Sequence, residues 1–191
     1  MHALKADTFR LFGRCSWPLV AKEMVSNQAF FMLATVRFCQ WARKQTFFWR
    51  KLLLLPARLL HAFAGLVSGI ELPWRTTIMP GLALTHGRGI VVNVNTIIGS
   101  NVTLFHGVTL GQRDSISRDG TRTTSYPIIE DDVWIGPHAI IVGVKIGKGS
   151  RIAGGAYVFV DVPPHSVVVG NPGKIVKTDC TSDVVNRWEN R

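Results

Sequence analysis

The stretch IEDDVWIGPHAIIVGVKIGKGSRIAGGAYVFVDVP, residues 129–163, decides the fold. Aliphatics fall at Ile129, Ile135, Ile141, Ile146, Ile152 and Val158, six apart except for one five-residue unit. A small or aliphatic residue stands four places after most of them. The same period runs upstream through Ile98, Leu104 and Leu110. Three such hexads make one triangular coil with a short strand on each side. The aliphatic and the small residue point inward and stack on their equivalents in the next coil, while Gly and Asn help turn the corners. The pattern predicts a left-handed parallel β-helix, an exception to the right-handed crossover rule that buries a continuous core and leaves few exposed edges. Helical periodicity competes poorly, because Gly recurs at close intervals.

The polar run QRDSISRDGTRTTSY, residues 112–126, interrupts the period after Leu110-Gly111 and reads as a long loop inserted between coils. DVPPHSVVVGNPGKIVK, residues 161–177, reads as the end of the solenoid and its exit. The chain therefore divides into a helical segment 1–70, a β-helix domain 71–176 with the inserted loop 112–126, and a polar tail 177–191.

Charge is unevenly placed. The net charge is +10, from 22 Lys/Arg against 12 Asp/Glu. Residues 1–70 hold ten of the cations against Asp7 and Glu23 alone, a net +8; residues 71–191 hold twelve against ten, a net +2. A basic N-terminus on a nearly neutral body points to a partner or an anionic membrane surface, and no nucleic-acid motif is present. Apolar patterning predicts helices over 28–45 and 52–68, the second with a polar stripe at Arg58, His61, Gly65 and Ser68. That helix serves either assembly with neighbouring subunits or attachment to an anionic leaflet. Pro56, Arg58 and His61 argue against a membrane span. Cys15, Cys39 and Cys180 are odd in number and far apart, and MHALKADTFRLFGRC lacks a clean apolar signal core. Both suit a cytoplasmic protein, in solution or peripheral on the inner face of the membrane.

Four segments in order carry a family resemblance: IELPWRTTIMPGLALTHGRGIVV (70–92), NVTLFHGVTLG (101–111), DVWIGPHAIIVGVKIGKGSRIAGGA (132–156) and DVPPHSVVVGNPGKIV (161–176). Together they resemble the serine acetyltransferase branch of hexapeptide-repeat acyltransferases. The shorter helical N-terminus looks more like the branch that acetylates capsular and exopolysaccharide sugars. The resemblance implies acetyl-coenzyme A as acyl donor, no metal, and a homotrimer or higher homo-oligomer. His86 matches the family's catalytic base, and Glu71, fifteen residues upstream, its carboxylate partner, one methylene longer than the usual aspartate. Gly111, Pro137 and Gly154 would neighbour the pantetheine arm, and Arg151 and Lys174 the nucleotide phosphates.

Two departures bear on the acceptor. Thr85 replaces the acidic residue that precedes the catalytic histidine and would hold a substrate ammonium. Ser125-Tyr126 replaces the Arg-His before Pro127. An amino-acid acceptor needs both charges. The expectation is therefore an O-acetyltransferase acting on a sugar hydroxyl of a surface polysaccharide or its lipid-linked precursor, with Trp74, Arg88, His106 and Tyr126 around the carbohydrate. The alternative is a serine or other small-molecule O-acetyltransferase. A third reading, a metal-binding or non-catalytic β-helix protein, rests on the recurrence of His86, His106 and His138 at coil intervals; His138 reads as a surface residue.

Overall fold

A computed structural model describes residues 2–189. Four helices come first: α1 (His2–Phe12), α2 (Trp17–Ser26), α3 (Gln28–Arg43) and α4 (Phe47–Ser68). The chain then winds as a parallel β-helix with three faces. The first face stacks β1 (Thr77–Ile78), β4 (Ile97–Ile98), β9 (Ile128–Ile129) and β12 (Lys145–Ile146). The second stacks β2 (Ala83–Thr85), β5 (Thr103–Phe105), β10 (Trp134–Ile135), β13 (Arg151–Ile152) and β15 (Val167–Val169), and β16 (Lys174–Lys177) closes it antiparallel. The third stacks β3 (Val91–Val92), β6 (Thr109–Gly111), β11 (Ile140–Val142) and β14 (Tyr157–Val158). Each coil visits the faces in this order.

The six-residue rule is realised residue by residue. Ile98, Leu104, Leu110, Ile129, Ile135, Ile141, Ile146, Ile152 and Val158 all point inward and are buried. Register pairs like with like down each face, as in Ile98 on Ile129 and Leu104 on Ile135. Val102, Val108, Val133, Ala139 and Ala156, four places after an inward aliphatic, are buried too. Ser150 takes that place once, and its hydroxyl donates to the Pro163 carbonyl (2.9 Å) while accepting from the Ser166 amide (3.1 Å). A buried hydroxyl so bonded is tolerated in an apolar column.

The helices are fastened to the first coil by buried charges. Arg37 of α3 reaches both carboxylate oxygens of Asp7 in α1 (Nε to Oδ2 2.7 Å, Nη2 to Oδ1 3.1 Å) and donates to the Ile78 and Met79 carbonyls (2.8 Å each). Asp7 Oδ1 also accepts from the Gly81 and Leu82 amides, at 2.9 Å each. Arg10 donates to Thr103 Oγ1 (2.8 Å) and to the Gly81 carbonyl (3.2 Å). Two of the cations counted toward the basic N-terminus, Arg10 and Arg37, and one of its two anions, Asp7, are therefore internal.

Helix α4 packs through its small residues, with Arg58 of the polar stripe left exposed. The small and polar stripe is the packed one: Ala57, Ala64 and Ser68 are buried, and His61 Nδ1 lies 3.2 Å from Thr35 Oγ1 of α3. Burial lowers the pKa of His61, which favours the neutral imidazole. The apolar face is left outward. Gly69, in the left-handed region at φ 63°, ends the helix and turns the chain into the first coil.

Residues 112–126 are not a structureless loop. They form an antiparallel hairpin, β7 (Arg113–Ile116) with β8 (Arg122–Ser125). Ser117, Asp119 and Thr121 close the turn by mutual hydrogen bonds. The tail is also ordered as far as it is described, residues 190 and 191 lying outside the described residues. It runs back across the second face from the last coil to the first. Arg187 pairs with Asp132 (2.9 Å), Asn101 exchanges two bonds with the Trp188 backbone, and the Trp188 ring packs edge-on against Phe9 of α1 at 5.8 Å.

Candidate active site

His86 sits where β2 turns into β3, at the corner between the second and third faces. Leu84 pairs with Leu104 and Val92 with Leu110. Eight residues separate the first member of each pair on the upper coil, against six on the lower one. The first coil thus carries two extra residues at this corner, and the backbone bulges outward. His86 adopts φ 50°, an uncommon conformation for a non-glycine residue. Gly87 explains how closely α3 approaches: a Cβ there would stand 2.9 Å from the Ala29 Cβ at the start of that helix.

The bulge and the junction between α2 and α3 enclose an open cavity of about 550 Å³, lined by His86 and Arg88 from the corner and by Glu23, Ser26, Asn27 and Gln28 from the helices. Asn27 fixes the junction by capping α3, its Oδ1 accepting from the Phe30 amide at 3.0 Å. Arg88 donates to Gln28 Oε1 (2.7 Å). The Glu23 side chain is only 12% exposed, with Lys22 Nζ at 3.7 Å. One exposed imidazole, one carboxylate and one guanidinium therefore face a common space.

Below His86 the corner continues as a column. The strand register places His106 under His86, Pro137 under His106 and Gly154 under Pro137. Lys174 lies at its lower end, opposite Val169 on β15. The Gly155 amide donates to the Pro137 carbonyl at 2.8 Å, so the column is tied by backbone bonds. His106 Nδ1 is buried without a hydrogen-bond partner, and its ring stands edge-on to His138 at 4.9 Å. His138 is exposed and falls one residue out of register, opposite Gly107. Among the described residues, no group of three or more His, Cys, Asp or Glu is arranged to hold a metal ion.

Other residues singled out from the sequence lie elsewhere. Glu71 pairs through its backbone with Val91 at the top of the third face, and no hydrogen bond joins it to His86. Trp74 and Tyr126 occupy the corner between the third and first faces, across from His86. The Arg43 and Arg75 guanidiniums lie over the Trp74 ring there, at 5.9 and 5.2 Å. Gly111 ends β6 at that same far corner, its carbonyl accepting from Gly143. Arg151 is engaged on the second face: its guanidinium stacks 4.8 Å over Trp134 and pairs with Asp183 of the tail at 3.2 Å. The hairpin lies along the far corner too, with Arg113 donating to the Phe159 carbonyl (2.8 Å). Within one chain, then, His86 and Arg88 share the cavity, with His106, Pro137, Gly154 and Lys174 below, while Glu71, Trp74, Tyr126, Gly111 and Arg151 stand apart from it. Glu23 was not foreseen. It lies on a helix 63 residues before His86, and no local pattern marks it.

Residues 127–159 match the family described as the hexapeptide repeat of succinyl-transferase. The chain is similar to the serine acetyltransferase of Bacillus pumilus, 39% identical over 139 residues, covering 71% of this chain and 61% of that protein. Its fold is similar to that of the soybean serine acetyltransferase apoenzyme, with 31% identity and a TM-score of 0.70, covering 91% of this chain and 67% of that one. The soybean enzyme is also solved in complex with serine, at 30% identity and a TM-score of 0.68 over 92% of this chain and 67% of that one. The Brucella abortus serine acetyltransferase in complex with coenzyme A matches with 26% identity and a TM-score of 0.72, over 94% of this chain and 69% of that one. The chain belongs to the hexapeptide-repeat acyltransferases, and its β-helix is the left-handed one expected from the repeat. It spans less than two thirds of the length of the first curated relatives it matches. These findings overturn the expectation of a carbohydrate acceptor, and with it a role in polysaccharide or capsule synthesis. The named relatives are serine acetyltransferases. Substitutions at Thr85 and at Ser125-Tyr126 had argued against serine, but they were judged position by position along the chain. The cavity that His86 lines is also lined by a carboxylate from α2, Glu23, and by the guanidinium of Arg88 from the same corner.

Proposed function

We propose that this chain is an acetyl-coenzyme A-dependent O-acetyltransferase whose acceptor is a small zwitterionic alcohol of the serine class. The observation that carries the reading is the shared cavity: His86 lines it together with Glu23, which can hold an ammonium, and Arg88, which can hold a carboxylate. Acetyl-coenzyme A supplies an activated thioester with a good leaving group. Its extended arm is placed along the corner column beneath His86, where Pro137 and Gly154 carry no long side chain and Lys174 offers a cation at the lower end. His86 takes the acceptor's hydroxyl proton as its oxygen forms the new bond to the acetyl carbon. The imidazolium then returns that proton to the departing thiolate. The three free cysteines support a cytoplasmic location. Exposed Val91 and Ile140 on the third face, with Ile97 and Ile128 on the first, support assembly into a homotrimer or larger homo-oligomer.

Thiol release from acetyl-coenzyme A, measured with and without free serine, tests the reading. Serine-dependent release well above hydrolysis by water is expected, and release indifferent to serine would refute it. Glu23→Gln should raise the serine KM about tenfold to a hundredfold, the range for losing one charge-assisted contact, and leave the coenzyme KM unchanged. 3-Hydroxypropionate, which lacks the ammonium, should not respond to this substitution. An equal KM change for both acceptors would remove Glu23 from the ammonium site.

A further inference from the structure

The outward face of α4 is apolar along its whole length. Phe48, Leu52, Leu55, Leu59, Phe63 and Leu66 recur at three- and four-residue steps and are 55–84% exposed. The opposite stripe is already committed to α3 through Ala57, His61, Ala64 and Ser68. A soluble surface seldom leaves so long an apolar stripe uncovered.

Charge says what covers it. No Asp or Glu occurs between Glu23 and Glu71. Arg43, Lys44, Arg50, Lys51 and Arg58 are exposed around the α3–α4 turn and along α4. Among the described residues, none of these five has an ion-pair partner. Helical spacing sets Lys51 and Arg58, seven residues apart, along one edge of the apolar stripe. A second copy laid face to face would bring two carboxylate-free basic segments together, an arrangement opposed by like-charge repulsion. An anionic lipid surface satisfies both features at once: acyl chains take the apolar stripe, and phosphate headgroups take the cations at its edge.

The helix is long and apolar enough to cross a membrane by length and composition. Three exposed cations within it and a stripe fixed to α3 favour an in-plane position instead. We infer that α4 is an interfacial helix that docks this protein on an anionic bilayer through Phe48, Leu52, Leu55, Leu59, Phe63 and Leu66, with Lys51 and Arg58 as the headgroup contacts. The inference does not depend on which acceptor the cavity takes.

Vesicle flotation of the full chain is the test, with phosphatidylcholine alone and with phosphatidylcholine mixed with phosphatidylglycerol. Flotation should require phosphatidylglycerol and weaken with salt. The double variant Lys51→Gln, Arg58→Gln should lower the partition coefficient about thirtyfold. Leu55→Gln with Leu59→Gln and Leu66→Gln should abolish binding while the thermal melt and sedimentation coefficient stay unchanged, since all three side chains face outward. Equal flotation with neutral vesicles overturns the inference, as does no flotation at all. A leucine variant that sediments as a smaller species assigns the face to a second copy and overturns it too.

Discussion

Replacing His86 by alanine should lower acetyl transfer by about 10² to 10⁴, the usual contribution of a positioned base. Coenzyme affinity should change little, because Pro137, Gly154 and Lys174 lie below His86 on other coils. The residue's backbone requires a control. His86 holds φ 50°, where alanine is disfavoured, so His86→Ala removes the imidazole and also loosens the corner. Asparagine tolerates the left-handed region, so His86→Asn keeps the turn while removing the base. Both variants should fall to the same low rate, measured as serine-dependent thiol release. Recovery of most activity in His86→Asn would show that the corner's shape matters and that proton transfer lies elsewhere. Glu71→Gln should lose less than either, because Glu71 bonds to Val92 and Ile90 through its backbone and makes no hydrogen bond to the imidazole.

The β-helix was legible because its determinants repeat. Every coil needs an inward aliphatic at the same place on each face, and that demand writes itself into the chain six residues apart. The first coil was harder to see. Ile78 and Leu84 keep the period, but the next inward aliphatic on a strand is Val92, displaced by the two-residue bulge at His86. Where the period slips, the backbone departs from the regular corner and makes room for the cavity. A break in the repeat was therefore a site signal, although a quieter one than the hairpin insertion, which is longer and lies across from the cavity.

The acceptor side of the site was not legible, for a topological reason. Family motifs follow the solenoid, so they report the residues that the coils present. Glu23 and Gln28 come from helices docked on the first coil, and their arrival at His86 depends on how α3 is seated. That seating rests on Gly87 and on the buried charges of α1 and α3, which resemble surface charges in a linear count. An amphipathic pattern fixes two faces but not which one is covered; the small stripe went inward because it lets α4 approach α3 closely.

Removing Asp7 should destabilise the protein by about 3–5 kcal/mol, the usual penalty for stranding one partner of a buried ion pair. Asp7→Ala leaves the Arg37 guanidinium, 4% exposed, without its carboxylate. It also strips the Gly81 and Leu82 amides of their shared acceptor. For a chain of this length the midpoint of thermal unfolding should fall by about 6–20 °C. The damage should begin at one end. α1 would lose its tie to the first coil, and Trp188, which packs on Phe9, would lose its seat, so the tail should open together with α1. Hydrogen exchange should therefore speed up first in residues 2–12 and 178–189, while the coils from β4 downward stay protected. The double variant Asp7→Ala, Arg37→Met should be less damaged than the sum of its single changes, because it no longer strands the Arg37 guanidinium. If Asp7→Ala melts within a degree or two of the parent, the network is dispensable and the apolar contact of α3 with the first coil, at Ala29, Met32, Leu33 and Val36, is what seats the helices.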